Sequence, residues 1–213
     1  MVMAVFDLCD TLCRRNTTVD FLETLGRADP RVKRAVRRWK GPGPLFLVGA
    51  LLHRLGRDLA RERMVASLAG WDSGELSNAA DTYAQDLMAK HANKTVVERL
   101  QTHQANSDRV VIMSSSIAPV VEAVGRLLGV EAYGSTLEFD SHRGCTGRIL
   151  SDLTGRKAEL AASLREGGET LIVYTDNRTD RDLLAIADVP VVILPAGRGD
   201  SHWAGEDCTY VVP

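Results

Sequence analysis

The chain has 213 residues, a formal net charge of −2 and a composition that is 45% hydrophobic and 25% charged. These values are typical of one globular domain and give no reason to expect a nucleic-acid-binding or membrane-binding protein. The cysteines have no C-x-x-C spacing, and the longest apolar run, residues 44 to 52, is too short to cross a bilayer, so we expect a cytoplasmic protein without disulfides or a membrane span.

The first predicted element is a short buried strand over residues 2 to 8, which is apolar on both faces. The chain from about residue 16 to 96 then has the periodicity of amphipathic helices, interrupted by the turn "GPGP" at 41 to 44. One helical stripe runs from Leu45 to Leu59, and Ser77 is a candidate N-cap of a later helix. Because loops between a strand and a helix are normally short, this stretch predicts an inserted helical subdomain.

Beyond residue 100, short β-branched strands alternate with helices. Strands are predicted at 109 to 113, 170 to 174 and 189 to 194, with helices at Pro119 to Leu128, Arg156 to Leu164 and Asp180 to Ala187. Alternating residues on both sides of "DSHRG" predict a hairpin. The fold class is therefore α/β, with a Rossmann-like parallel sheet core (residues 1–15 and 97–213) and an all-helical subdomain (16–96) inserted after the first strand.

Polar side chains follow three predicted strands at the points where the strands end: Asp7, Cys9 and Asp10; Ser114, Ser115 and Ser116; and Thr175, Asp176 and Asp180. Ligands of open α/β sheets bind beyond the carboxyl ends of the strands, so these clusters are expected to lie together. Each residue alone is more often a cap or turn residue. Together, the carboxylates predict a hard cation such as Mg²⁺, and the serines before a helix predict a phosphate site.

Four motifs in the same order make the chain similar to the haloacid dehalogenase superfamily. The segments "VFDLCDTL", "VVIMSSS", "GRKAEL" and "VYTDNRTD" supply Asp7 and Thr11, then Ser114, then Lys157, and finally Asp176 and Asp180. The pattern resembles the branch that contains phosphoserine phosphatases, in which the helical insertion forms a cap over the active site.

The resemblance implies a phosphatase or phosphotransferase that acts on a small phosphorylated metabolite. Asp7 would be the nucleophile that forms an aspartyl-phosphate, and Thr11 would hold the nucleophile loop. Ser114, Ser115 and Lys157 would bind and orient the phosphoryl oxygens.

The same resemblance implies a magnesium site. Mg²⁺ would be held by Asp7, the backbone carbonyl of Cys9 and Asp176, with Asp180 supporting these ligands.

Two residues depart from the pattern of the resembled phosphatases. Cys9 stands where they have a second aspartate, the general acid and base, so slow turnover is expected. Asp10 comes one residue later and, in an extended loop, would face the opposite side. Asn16 stands where a glutamate recognises the amino group of phosphoserine, which disfavours phosphoserine as the substrate.

The sequence leaves other interpretations open. The chain could bind a phosphorylated ligand or partner without turnover, because Cys9 removes the acid and base. A metal-independent dehalogenase is a further alternative, against which Asp176 and Asp180 argue. The basic segment 31–40 is either a solvated helix face or a patch that attracts an anionic substrate or lipid surface.

Overall fold

The computed structural model describes residues 1–40, 58–194 and 208–211. The predicted turn at 41 to 44, nearly all of the stripe from Leu45 to Leu59 and most of the C-terminal tail lie outside these residues. The described residues form a seven-stranded sheet with helices, which confirms the predicted α/β class.

The strands of the sheet are arranged in the order β4-β3-β2-β1-β5-β6-β7. All neighbouring pairs are parallel except β3 and β4. The strands are β1 (Val2–Phe6), β2 (Arg109–Ile117), β3 (Glu131–Phe139), β4 (Cys145–Ser151), β5 (Thr170–Thr175), β6 (Val189–Ile193) and β7 (Thr209–Val211). The antiparallel pair β3 and β4 is the predicted hairpin around "DSHRG", and β7 lies in a tail for which no element was predicted.

The described residues contain eight α-helices, four of them between β1 and residue 93. They are α1 (Thr17–Leu25), α2 (Pro30–Lys40), α3 (Leu59–Val65), α4 (Ser73–His91), α5 (Lys94–Ala105), α6 (Ala118–Leu128), α7 (Lys157–Leu164) and α8 (Arg181–Ala185). Short 3₁₀ turns occupy Ala66–Leu68 and Arg178–Asp180. Helix α5 spans the predicted boundary at residue 97, and the division into core and cap stays a prediction.

The sheet is covered on both faces because the central strand β1 is apolar on both. Ala4 and Phe6 belong to a large apolar cluster that includes residues of α1 to α6. Met3 and Val5 belong to a second cluster with residues of α7 and α8. This arrangement leaves the carboxyl end of the parallel strands as the open edge, where ligands of such sheets bind.

Two local predictions were wrong. Helix α4 begins at Ser73 rather than near Ser77, because Asp72 caps it by accepting hydrogen bonds from Gly74 N–H (2.7 Å) and Glu75 N–H (3.3 Å). Strand β2 continues past Met113, where the predicted strand ends, through the serines to Ile117, because an irregularity in the β2–β3 ladder lets Ile117 pair with Ser135.

In the parts of the chain that the structure describes, no helix has both the length and the apolar character that a membrane crossing requires. The basic segment is an amphipathic helix, α2, that buries Val32 and Val36 and exposes all six of its basic residues.

Candidate active site

A buried triad of charged side chains lies beyond the carboxyl ends of β1 and β5. Lys157 Nζ is 2.7 Å from Asp7 Oδ1 and 2.8 Å from Asp180 Oδ2. None of these three residues is more than 4% exposed. Asp7 is fixed at the end of β1 because its N–H donates to the Tyr174 carbonyl (2.9 Å), and Asp180 also accepts a hydrogen bond from Thr175 Oγ1 (2.8 Å). Residues from three separate segments of the chain therefore meet at one point.

Thr11 and Asp176 join the loop after β1 to the loop after β5 by a reciprocal pair of hydrogen bonds. Thr11 Oγ1 donates to Asp176 Oδ1 (3.0 Å) and accepts from Asp176 N–H (3.0 Å). No ion pair among the described residues includes Asp176. This carboxylate therefore has a hydroxyl partner but no cationic one in the described parts of the chain.

The electrostatics of the site show an excess of negative charge. Burial raises the pKa of Asp7 to about 6 although Lys157 opposes the shift, and burial together with the Asp7 charge raises the pKa of Asp176 to about 7. Burial alone would lower the pKa of Lys157, but the charges of Asp7 and Asp180 more than offset it and raise that pKa. Lys157 thus stays charged, and a further cation would stabilise the ionised carboxylates.

The Cys9 thiol lies in a small cluster of hydroxyl groups. Its Sγ is 3.2 Å from Ser116 Oγ and 3.3 Å from Thr17 Oγ1, and these two oxygens are 2.6 Å apart. Thr17 N–H also donates to the sulfur (3.5 Å). Burial, and then the charge of Asp7, raise the pKa of Cys9 above its ordinary value, so the group is a neutral thiol near neutral pH.

The three serines near the carboxyl end of β2 occupy different positions. Ser114 is buried, and its Oγ accepts a hydrogen bond from Ser116 N–H (3.3 Å). Ser115 and Ser116 line a cavity of about 620 Å³ that opens beyond the edge of the sheet. Its lining also includes Cys9, Asp10, Asn16, Thr18, Val19, Asp58, Arg61, Met64, Thr154, Asp176, Asn177, Arg178 and Thr179.

The expectation of an extended loop at Cys9 and Asp10 was wrong. Asp10 has a φ of +56°, so the chain turns through the left-handed region instead of continuing extended. Both residues consequently line the cavity.

Asn16 has a structural role as the N-cap of α1. Its Oδ1 accepts from Val19 N–H (3.3 Å), while the residue also lines the cavity. Any contact with a substrate would thus be made by a side chain whose carbonyl oxygen already has a donor.

Sequence analysis missed Arg61, which reaches the cavity from α3. Arg61 is 9% exposed and contacts the loop after β4 and the end of β2. A signal was present, because Arg61 occupies the first position of a buried i, i+3, i+4, i+7 series completed by Met64, Val65 and Leu68. A charged residue in an apolar stripe indicates a buried partner.

Replacing Lys157 by Met tests the buried triad. The variant leaves Asp7 and Asp180 without their cationic partner, so we expect the free energy of unfolding to fall by about 3 kcal/mol or more. Urea unfolding monitored by circular dichroism measures this change.

Lys90→Met is the matched control, because Lys90 forms an exposed pair with Asp86 (2.8 Å) on α4. Its expected cost is at most about 1 kcal/mol. Equal costs for the two variants would show that the triad does not stabilise the fold.

The comparison with protein families identifies the class of the chain. Residues 4–185 match the model of the haloacid dehalogenase-like hydrolases, so the chain belongs to this family. The superfamily predicted from the four motifs is confirmed, and the match includes every candidate site residue.

The relatives and solved structures agree with this family. The chain is 29% identical over 202 residues to the inhibition of morphological differentiation protein of Streptomyces azureus, covering 90% of this chain and 71% of that protein. It is 26% identical over 141 residues to a histidinol-phosphatase of Neisseria meningitidis serogroup C (strain 8013), and this match covers 62% of this chain and 64% of that protein.

Among solved structures, a protein of unknown function from Bordetella pertussis Tohama I has a TM-score of 0.73, 22% identity and coverage of 100% of this chain and 99% of that one. A probable phosphoserine phosphatase from Vibrio cholerae has a TM-score of 0.60 and 18% identity, and this match covers 91% of this chain and 56% of that one. These two likenesses establish the fold.

Proposed function

We propose that this chain hydrolyses the phosphate monoester of a small metabolite through an aspartyl-phosphate on Asp7, with Mg²⁺ as its cofactor. The family match and the phosphatases among the relatives support the predicted class of enzyme, a phosphoric monoester hydrolase. They do not favour the alternative of a binding protein without turnover.

The observation that carries this proposal is the contact of Asp7 with Lys157 at the open edge of the sheet. The carboxylate is the first residue after β1, and the ammonium group is 2.7 Å from it. A buried carboxylate beside a permanent positive charge is a suitable nucleophile for phosphorus, because the same charge stabilises the equatorial oxygens in the transition state.

In the first step, an Asp7 carboxylate oxygen would attack phosphorus in line, the bond from phosphorus to the ester oxygen would break, and the departing oxygen would take a proton from solvent water. Lys157 would stay charged beside the transferred group, and the Ser114 hydroxyl and the Ser115 backbone would orient the phosphoryl oxygens. In the second step, water would attack the same phosphorus atom and lose a proton to solvent, and the bond from phosphorus to the Asp7 oxygen would break, which releases the Asp7 carboxylate and inorganic phosphate.

The residues present fit a hard divalent cation. Asp7 and Asp176 offer carboxylate oxygens, and Cys9 offers a backbone carbonyl. Among the described residues no cluster of three or more His, Cys, Asp or Glu side chains is close enough to hold a metal. The proposed site therefore depends on two carboxylates and the carbonyl, with Asp180 supporting them through Lys157. A bound Mg²⁺ would supply neutralisation of the phosphoryl charge.

Cys9 is the proposed reason for slow turnover. The thiol is neutral and hydrogen-bonded to the Thr17 and Ser116 hydroxyls, so it is a poor general base. Hydrolysis of the phosphoenzyme would therefore be the slower step, because the attacking water has no efficient general base.

The substrate of the proposed reaction is a small phosphorylated metabolite other than phosphoserine. Asn16 lines the cavity with a neutral amide whose carbonyl oxygen caps α1. It lacks the negative charge that would pair with a substrate amino group.

The proposed metal site predicts a pH-dependent stability. Asp176 has a pKa of about 7 in the folded chain and near its ordinary value of 3.8 when unfolded, so between these values the folded state binds more protons. Metal-free protein should therefore lose stability as pH rises from about 4 to 7. At pH values above that range, added Mg²⁺ should raise the melting temperature again.

Thermal melting with chelator and with Mg²⁺ measures both effects. The melting temperature of Asp176→Asn should depend less on pH and should rise less on addition of Mg²⁺ than that of the wild type. Asp86→Asn, an exposed change on α4, should behave like the wild type. An unchanged response to Mg²⁺ in Asp176→Asn would argue against Asp176 as a ligand.

The activity itself is tested by phosphate release from a panel of phosphate esters, with Mg²⁺ and with chelator. Metal-dependent turnover supports the proposal. Absence of turnover across the panel would contradict it.

A further inference from the structure

Arg61 joins α3 to two parts of the sheet by hydrogen bonds from both of its terminal nitrogens. Its Nη1 lies 3.1 Å and 3.0 Å from the two carboxylate oxygens of Asp152, in the loop after β4. Its Nη2 donates to the backbone carbonyl of Ser115 (2.5 Å), near the end of β2. Because the guanidinium is planar and always charged, these bonds hold the three groups in one arrangement.

The Ser115 carbonyl is fixed from a second side by Ser135. Ser135 Oγ lies 2.8 Å from the Ser115 oxygen and 3.1 Å from Asp152 Oδ1. It also accepts the N–H of Leu153 (3.1 Å). The direction of this one carbonyl is thus determined by a network that includes α3, β3 and the loop after β4.

The orientation of the carbonyl determines the opposite end of the same peptide bond. In a planar trans peptide, the C=O of Ser115 and the N–H of Ser116 point in opposite directions, and the described residues contain no cis peptide bond. The Ser116 N–H donates to Ser114 Oγ (3.3 Å). The peptide between Ser115 and Ser116 is therefore held by Arg61 at its oxygen and by Ser114 at its nitrogen.

This arrangement affects the direction of the Ser114 hydroxyl. Because Ser114 Oγ accepts the Ser116 N–H, its own hydrogen remains available to donate to another acceptor. In the proposed reaction, that acceptor is an oxygen of the phosphoryl group. A rotated peptide would remove the N–H from Ser114 and leave its hydroxyl free to turn.

We propose that Arg61 is a positioning residue that orients the Ser114 hydroxyl through the peptide between Ser115 and Ser116, with Asp152 fixing the guanidinium. The proposal rests on the proposed phosphatase function. If Arg61 has this role, the Ser114 hydroxyl is correctly oriented only when α3 is in place. Helix α3 would then contribute to catalysis as well as to the cavity wall.

A competing role for Arg61 is direct contact with the substrate. Its Nε is buried and has no hydrogen-bond partner among the described residues, and the residue lines the cavity. If a substrate group bound Nε, loss of Arg61 would weaken substrate binding whether or not Ser114 were present. The two roles can therefore be separated by combining substitutions.

The experiment is a double-mutant cycle of Arg61→Met and Ser114→Ala, with p-nitrophenyl phosphate as the probe. We expect Arg61→Met to lower kcat by about 10- to 100-fold with little change in KM. In the Ser114→Ala background the same change should lower kcat by less than about 2-fold. Arg61→Lys, which can still donate to the Ser115 carbonyl, should lie between Arg61→Met and the wild type.

Arg126→Met is the matched control, because Arg126 Nη2 forms another ion pair with the inserted helices, 2.6 Å from Asp81 Oδ1 on α4. Neither residue lines the cavity, so kcat should stay within about 2-fold of the wild type. Melting temperatures of all variants are measured alongside, so that a folding defect common to Arg61→Met and Arg61→Lys is visible.

Each outcome has a defined meaning. Equal losses of kcat from Arg61→Met with and without Ser114 would overturn the positioning role, and so would an effect confined to KM. A loss of kcat in Arg126→Met equal to that in Arg61→Met would also overturn it, because general loosening would then explain the result. Wild-type turnover that is absent, or unaffected by Asp7→Asn, would reject the proposed function and this inference with it.

Discussion

Asp7→Asn is expected to reduce phosphate release by at least about 10⁴-fold, because an amide cannot form the aspartyl-phosphate. The substitution is nearly isosteric, and Lys157 keeps its contact with Asp180 (2.8 Å). The fold should therefore persist, and the loss should appear in kcat. Steady-state phosphate release with Mg²⁺ and the best ester of the panel measures it.

Asp86→Asn is the control for Asp7→Asn, since it makes the same chemical change on the exposed face of α4. Its activity should equal that of the wild type. Residual turnover of Asp7→Asn within about 100-fold of the wild type would mean that the phosphoryl group is not transferred to Asp7.

Cys9→Asp is expected to raise turnover by about 10²- to 10⁴-fold, the usual contribution of a positioned general acid and base. The Ser116 and Thr17 hydroxyls, 3.2 Å and 3.3 Å from the present sulfur, are suitable donors to the new carboxylate. The gain should be largest for alkyl phosphates, whose poor leaving groups require a proton. Comparing kcat for an alkyl ester and for p-nitrophenyl phosphate measures this difference.

Cys9→Ser separates the effect of the carboxylate from loss of the thiol. A hydroxyl keeps the size and the hydrogen bonds of the site but supplies no better base, so its turnover should stay within about 10-fold of the wild type. An equal gain in Cys9→Ser and Cys9→Asp, or no gain in Cys9→Asp, would contradict the account of Cys9.

The residues at the strand ends could be predicted because their positions follow from the strands themselves. The apolar run before Asp7 marks a buried parallel strand, and a polar residue at its end must lie at the open edge of the sheet. Asp176 follows β5 for the same reason. The contact of Lys157 with both Asp7 and Asp180 required the fold, because the three residues are far apart in the chain.

The surroundings of Cys9 and the role of Arg61 could not be predicted either, because both depend on the tertiary structure. The position of Asp10 depends on a left-handed turn at a non-glycine residue, which the sequence pattern does not indicate. Ser116 reaches Cys9 because β2 continues beyond its apolar part. The partners of Arg61 are Asp152, in the loop after β4, and the Ser115 carbonyl, in the irregular end of β2, and the conformation of both depends on tertiary packing.

The most direct test of the central claim is the mass of the protein, intact and after proteolytic digestion, following acid quenching during turnover of p-nitrophenyl phosphate with Mg²⁺. The account predicts one added phosphoryl group on the peptide containing Asp7, because Cys9 makes its hydrolysis slow. Asp7→Asn should carry none, and Cys9→Asp should carry less than the wild type. Steady turnover by the wild type with no phosphoryl group on Asp7 under any quench time would contradict the account.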